Sequence, residues 1–206
     1  EGGTFTMGAT SEQGEDADSD EKPAHQVTLS DYYIGETEVT QALWKAVMGT
    51  NPSNFKGDSN PVEKVSWNDC QEFIRKLNSL TGRTFRLPTE AEWECAARGG
   101  NQSKGYKYSG SNKIKDVAWY DGNSKDKTHA VKTKPSNELG LYDMSGNVNE
   151  WCWDLYGAYD GSVRREIVTI VDKHEYRSLM EYVHKTDPTA FVTVYSVSEM
   201  RYLPKK

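Results

Sequence analysis

The chain has 206 residues, enough for one domain of ordinary size and a small appendage. Apolar residues make up only 35% of it, yet six Trp and twelve Tyr can build an aromatic-rich core. A formal net charge of −6 argues against a nucleic-acid partner, and no apolar run approaches the ~18 residues that cross a bilayer.

The opening Glu1-Gly2-Gly3-Thr4 carries no signal peptide and reads as though cut from a longer chain. Residues 2–8 form a short alternating strand closed by glycine. Asp16, Asp18 and Asp20 mimic the start of an EF-hand loop, but Glu21 stands where the turn needs Gly and Val27 where the ion needs Glu. A solvated acidic loop is the better reading. Residues 26–29 and 32–35 read as strands flanking a turn at Ser30-Asp31.

Thr40 is expected to cap a helix with an apolar stripe of Leu43, Trp44, Val47 and Met48, ended by Gly49. Asn68 is expected to cap a second, with Gln71 in the capping-box position and Gly82 as the stop. Its apolar side is Cys70, Phe73, Ile74, Leu77 and Leu80. The third helix has the clearest start: Thr89 with Glu92 makes a capping box, Glu90 and Glu92 sit at the positive end of the dipole, and Gly99-Gly100 ends it. Residues 101–139 read as long surface loops with short strands, punctuated by Tyr106, Tyr108, Trp119 and Tyr120.

Residues 140–154 are too irregular for a helix and too polar for a buried strand. Gly140 and Gly146 permit tight turns, Asp143, Asn147, Glu150 and Asp154 supply oxygens, and Trp151 and Trp153 alternate at strand spacing. Two readings stand on composition: a loop for a hard cation such as calcium, or a polar turn entering a core strand. Cys70, Cys95 and Cys152 lie far apart without ligand-like spacing, so at most one pair could form; they read as buried small hydrophobes. His25, His129, His174 and His184 are scattered and no Ser sits in a nucleophile elbow, so a hydrolytic triad is not supported.

Beyond residue 162 the composition shifts. Residues 166–171 read as a strand, and Asp172 with Glu175 opens a helix carrying Tyr176, Leu179, Met180 and Val183. After a break at Asp187-Pro188, residues 190–195 read as another strand. One β-α-β unit of this size cannot bury a core alone.

Six ordered motifs carry a resemblance. They are residues 2–8, Glu21-Lys22-Pro23-Ala24-His25-Gln26-Val27, Glu38-Val39-Thr40-Gln41, Pro61-Val62-Glu63-Lys64-Val65-Ser66-Trp67, Arg86-Leu87-Pro88-Thr89-Glu90-Ala91-Glu92-Trp93-Glu94 and Gly140-Leu141-Tyr142-Asp143-Met144-Ser145-Gly146-Asn147-Val148. Over roughly the first 160 residues the chain resembles the sulfatase-modifying-factor family, whose founding activity is the formylglycine-generating enzyme. The resemblance implies an α+β, irregular C-type-lectin-like fold. It also implies oxygen-dependent oxidation of a sulfatase cysteine to formylglycine, with copper held by two cysteines.

Nothing after Trp151 resembles the segment that holds that cysteine pair. No catalytic residue is therefore assigned, copper is not expected, and the domain (residues 1–162) is read as incomplete and non-catalytic, a binding or structural module. The alternatives are an oxidase working through Cys152, and a small-ligand sensor oligomerised by the tail. Calcium carries over better: the resemblance places its ligands at Asp143, Gly146, Val148 and Glu150, the middle two through backbone carbonyls. Asn147, Trp151 and Cys152 complete the candidate site, and Asn149 stands where the family usually has Trp.

Residues 163–206 are similar to the small cytosolic C-terminal domain of YitT-type bacterial membrane proteins, which implies a ferredoxin-like β-α-β unit. An extracytoplasmic domain followed by a segment of cytosolic origin suggests a fusion. Expected partners are a peptide, protein or glycan and a second copy of the chain.

Overall fold

A computed structural model describes residues 1–14, 17, 21–153, 155–156 and 163–164, all within a compact unit spanning Glu1–Glu166. The expected β-α-β unit with its YitT resemblance, His174, His184, Asp154 and the Asp16, Asp18, Asp20 triplet lie outside the described residues.

Strands β1 (Gly3–Met7) and β2 (His25–Leu29) pair antiparallel, from Gly3 opposite Leu29 to Met7 opposite His25. Alternation turns Met7 and Val27 to one face, where they meet Ala91, with Phe5 and Leu29 packed around them. The expected strand at 32–35 is absent. Among the described residues that stretch has no ladder partner; Tyr32 sends its hydroxyl to the Glu92 carbonyl (2.7 Å), Tyr33 faces solvent, and Ile34 packs into a second core cluster with Ala96, Leu141 and Met144.

Helix α1 (Gln41–Met48) starts as expected, the Thr40 hydroxyl accepting from the Leu43 amide. Its buried face differs from the expected stripe, because Gln41 and Trp44 point inward while Leu43 is exposed. Helix α2 (Trp67–Thr81) is capped by Ser66, not Asn68: the Ser66 hydroxyl accepts from the Asp69 amide (3.2 Å) and Asp69 Oδ2 accepts from the Ser66 amide (2.8 Å). An Asp at the third helical position can fold back to the cap as Glu or Gln does, which moves the start two residues earlier. Phe73 is buried and stacks on Trp44 (centroids 4.9 Å apart, rings 2° from parallel), whereas Leu80 near the helix end is exposed.

Helix α3 (Glu90–Ala97) has the expected reciprocal capping box at Thr89 and Glu92. Arg86 adds a two-pronged ion pair, Nη1 and Nη2 each donating to a Glu92 oxygen at 2.6 Å. Arg86 and the Thr89 amide together hold the Glu92 carboxyl below its ordinary 4.5. A depressed carboxylate contributes stability that is present above its unfolded pKa and is lost as pH falls through the folded one. Arg86→Ala is therefore expected to lower the melting temperature at neutral pH, and the gap to the unaltered protein should narrow as pH falls below the ordinary carboxylate range. Melting curves across that window check it; a gap independent of pH would assign Arg86 a packing role.

From Gly100 to residue 139 the chain is loop, interrupted by a 3₁₀ turn (Gly100–Gln102) and a short helix α4 (Ile114–Val117). The expected short strands are reduced, among the described residues, to single bridges, Tyr108 with Ser111 and Trp119 with Gly146. This tract is held by side chains. Buried Asn137 donates to the Ala96 carbonyl (2.8 Å) and Ser109 Oγ (3.1 Å), and its oxygen accepts from the Leu139 and Leu141 amides. Two-residue strands β3 (Leu155–Tyr156) and β4 (Val163–Arg164) pair antiparallel.

Candidate functional site

The loop after Gly140 is curled by three residues in the left-handed region: Asp143 (φ 58°), Gly146 (φ 91°) and Asn147 (φ 64°). Gly146 lies against Trp119 in a parallel bridge, and the Asn147 amide donates to the Trp119 carbonyl (2.8 Å). The Asn147 side chain clamps a second segment, its oxygen accepting from the His129 amide (2.9 Å) and its nitrogen donating to the His129 carbonyl (3.2 Å). The His129 ring stacks on Trp119 with centroids 3.7 Å apart, Lys134 Nζ lies 4.4 Å from the Trp119 ring centre, and Trp119 Nε1 donates to Thr133. Asn147 is thus a structural clamp.

This scaffold holds Asp143 with 4% of its surface exposed. Its Oδ2 accepts from the Lys132 amide (2.8 Å), while its Oδ1 has no partner. Behind it lies Glu38, 8% exposed, with neither carboxyl oxygen partnered. The two segments are tied where the Tyr142 amide donates to the Glu36 carbonyl (3.0 Å). Lys132 Nζ, bonded to Glu36 Oε2 at 2.6 Å, is spent on that neighbour.

Burial, then the charge of Asp143, then that of Glu150, pushes Glu38 up to about 8. Burial raises Asp143 as well, opposed by the Lys132 amide. Glu150 is exposed where it lines a cavity; the protein packed around it and the charge of Asp143 push it up, opposed by the Trp93 indole. Three carboxyls that all resist ionisation mark a place short of positive charge. A proton or a cation resolves it, and oxygen donors suit a hard cation.

The four expected calcium positions, Asp143, Gly146, Val148 and Glu150, line one cavity of about 760 Å³ together with Asn147 and Cys152. Trp93, Trp119 and Tyr120 form its aromatic walls. Trp151 does not join them: it is half exposed and its indole donates to the Val65 carbonyl (3.0 Å). Nor do Trp151 and Trp153 form the expected strand; the Trp153 amide donates to the Pro88 carbonyl and its ring tilts against Trp67. Among the described residues no three His, Cys, Asp or Glu side chains converge as a ligand set by themselves. A cation here would draw part of its shell from backbone carbonyls, which the resemblance also implies.

The cysteines differ from the expectation of three buried hydrophobes. Only Cys95 is buried; Cys70 is half-buried in α2 and Cys152 is half-buried on the cavity, and none forms a disulfide. Burial pushes the Cys70 thiol up to about 11 and raises Cys95. Nothing in the sequence places Glu38 near the motif loop. It stands 105 residues before Asp143 in the chain, and only the folded contact between residues 36 and 142 brings it under the loop.

Among the described residues no helix is long and apolar enough to cross a membrane. The chain is 39% identical over 180 residues to the chaperone protein LppX of Paenibacillus barcinonensis, covering 63% of this chain and 64% of that protein. It is 33% identical over 136 residues to the inactive C-alpha-formylglycine-generating enzyme 2 of Bos taurus, covering 61% of this chain and 43% of that one. The chain thus spans less than two thirds of the length of these relatives. Treponema denticola variable protein 1 shares the C-type-lectin-like fold, with a TM-score of 0.62 at 37% identity over 74% of this chain and 72% of that structure. The model of the sulfatase-modifying factor enzyme 1-like domain matches residues 1–190, and the chain belongs to that family.

Proposed function

We propose that this domain is a non-catalytic binding or structural module whose motif loop is set by calcium at Asp143, Gly146, Val148 and Glu150. The observation that carries the reading is the buried Asp143 Oδ1, which has no hydrogen-bond partner, on a residue that lines the same cavity as the other three positions. The non-catalytic half rests on the sequence, in which nothing after Trp151 resembles the segment that holds the family's cysteine pair. The aromatic walls suit a peptide, protein or glycan, and the relative named a chaperone supports a peptide or protein.

A peptide oxidation assay tests the first half. With copper, reductant and oxygen, a sulfatase-type Cys-x-Pro-x-Arg peptide should show no thiol loss and no aldehyde by mass spectrometry. Aldehyde formation would instead favour the oxidase reading, for which Cys152, the thiol on the cavity, would be the first residue to replace. Calcium at about 100-fold above its Kd should stabilise the protein by about 2.7 kcal/mol, a rise in melting temperature that a chelator reverses.

A further inference from the structure

A second cavity, of about 450 Å³, lies between the end of β1, α3 and the 106–109 loop, a volume ordinary for a small-molecule site. Glu94, Arg98, Tyr106 and Tyr108 line it and do not line the cavity at the motif loop. Glu94 and Arg98 are fixed in place by the backbone beside them. Arg98 Nε donates to Glu94 Oε1 (2.7 Å), Arg98 Nη2 donates to the Gly8 carbonyl (2.6 Å), and the Gly8 amide donates to the same Glu94 oxygen (2.9 Å). Gly8 is held in turn, since the next amide, that of Ala9, donates to the Glu21 carbonyl (2.8 Å). Among the described residues these bonds leave one donor and one acceptor unspent on the same ion pair, Arg98 Nη1 and Glu94 Oε2.

The rest of the lining repeats that balance. Glu21 and Glu90 add acceptors, Lys107 adds a donor, and the Tyr106 and Tyr108 hydroxyls can serve as either. An anion would meet three carboxylates there, and a cation would meet Arg98 and Lys107, so neither sign of charge is favoured. A neutral sugar suits both halves. Its hydroxyls donate to carboxylates and accept from a guanidinium or an ammonium, and the C–H face of its ring lies against aromatic side chains. Three rings are available, Trp93, Tyr106 and Tyr108, with Tyr106 at the exposed rim. A peptide group also carries one donor and one acceptor, but a peptide docks by side chains in apolar pockets. Besides the rings, only Met7, Ala9, Ala97 and Met144 bring apolar side chains to this cavity. We propose that the cavity binds a neutral glycan, Glu94 and Arg98 holding hydroxyls of one sugar unit while Tyr106 stacks on it at the rim. The site uses no metal, so it stands or falls apart from the calcium reading.

Saturation-transfer NMR on the full chain tests it, with the methyl glycosides of glucose, galactose, mannose and N-acetylglucosamine, their disaccharides, and a trialanine peptide as probes. Each is offered at millimolar concentration in calcium and again in chelator. At least one glycoside should receive saturation equally in both buffers, and the peptide should receive none. Tyr106→Ala, whose ring stands at the rim, should weaken that glycoside about tenfold without moving the melting temperature. Monodeoxy analogues of the bound sugar need no variant: removing a hydroxyl that meets Glu94 or Arg98 should also weaken binding about tenfold, because each bond involves a charged partner. Silence from every glycoside would overturn the proposal, as would saturation of the peptide alone. Sugar binding that vanishes in chelator would assign the sugar to the motif-loop cavity. Binding that is indifferent both to Tyr106→Ala and to every deoxy position would place it elsewhere on the surface, and either result would overturn this site.

Discussion

Gln41→Leu is expected to destabilise the domain by about 3 kcal/mol, although leucine is apolar and the site is buried. Gln41 has 0% of its surface exposed at the first turn of α1. Its nitrogen donates to the carbonyls of Phe55 (2.8 Å) and Pro61 (3.1 Å), and its oxygen accepts from Asn51 Nδ2 (2.8 Å) and the Gly57 amide (3.1 Å). One side chain thus adds to the few backbone bonds that tie the loop between α1 and α2, where Thr40 and Pro61 form a single bridge. Leucine fills similar space but removes four hydrogen bonds, and of the partners left behind the Phe55 carbonyl keeps Asn60 Nδ2 at 3.5 Å. The bond to Pro61 is wholly buried, so that carbonyl bears the full desolvation cost, about 1–3 kcal/mol. The other three lie nearer solvent and recover part of theirs from water. For a domain of this size the loss amounts to roughly 6–12 °C in melting temperature. Urea denaturation measures it directly. A change below about 1 kcal/mol would show that the 51–61 loop shifts to hydrate its carbonyls without cost to the fold.

Gln41 also explains where sequence reasoning stops. A polar residue next to a helix cap reads as solvent-facing, because periodicity scores hydrophobicity and not the number of backbone groups a side chain can satisfy. Local signals were legible for the opposite reason. Thr89 with Glu92 and Thr40 before α1 are short-range hydrogen-bond patterns, complete within four residues, and the structure contains both. The shift from Asn68 to Ser66 shows the limit of that rule: two eligible caps stood two residues apart, and Asp69 decided between them. Tyr32 to Gly35 have strand-forming side chains but, among the described residues, no partner strand, which only the tertiary fold reveals. At the site, family resemblance points to Asp143, Gly146, Val148 and Glu150, which line one cavity, and gives no sign of Glu38, which a contact between distant segments brings beneath the loop. Trp151 was placed with the loop by adjacency in sequence, yet its indole is bonded to Val65 at the approach to α2.

The second large effect is expected at Gly146. An alanine there meets two separate penalties. Its φ of 91° lies where side chains other than glycine are strained, and an added Cβ would stand 2.3 Å from the Trp119 carbonyl oxygen. That oxygen cannot easily withdraw, because it accepts from the Asn147 amide while the Trp119 side chain is fixed by His129, Lys134 and Thr133. Relief requires the 143–150 loop and the 119 segment to part, which breaks the bridge and pulls Asn147 from His129. Gly146→Ala should therefore cost about 3–5 kcal/mol and abolish any stabilisation by calcium. Gly140→Ala is the matched control. Its φ is 77°, but an added Cβ would find nothing within 4 Å, so it carries the backbone strain without the collision and should cost about 1 kcal/mol. The difference between the two variants in urea denaturation isolates the close approach of the loop to Trp119. Equal losses would mean that the segments separate freely, and a loop so loosely seated could not hold Asp143 buried in readiness for a cation.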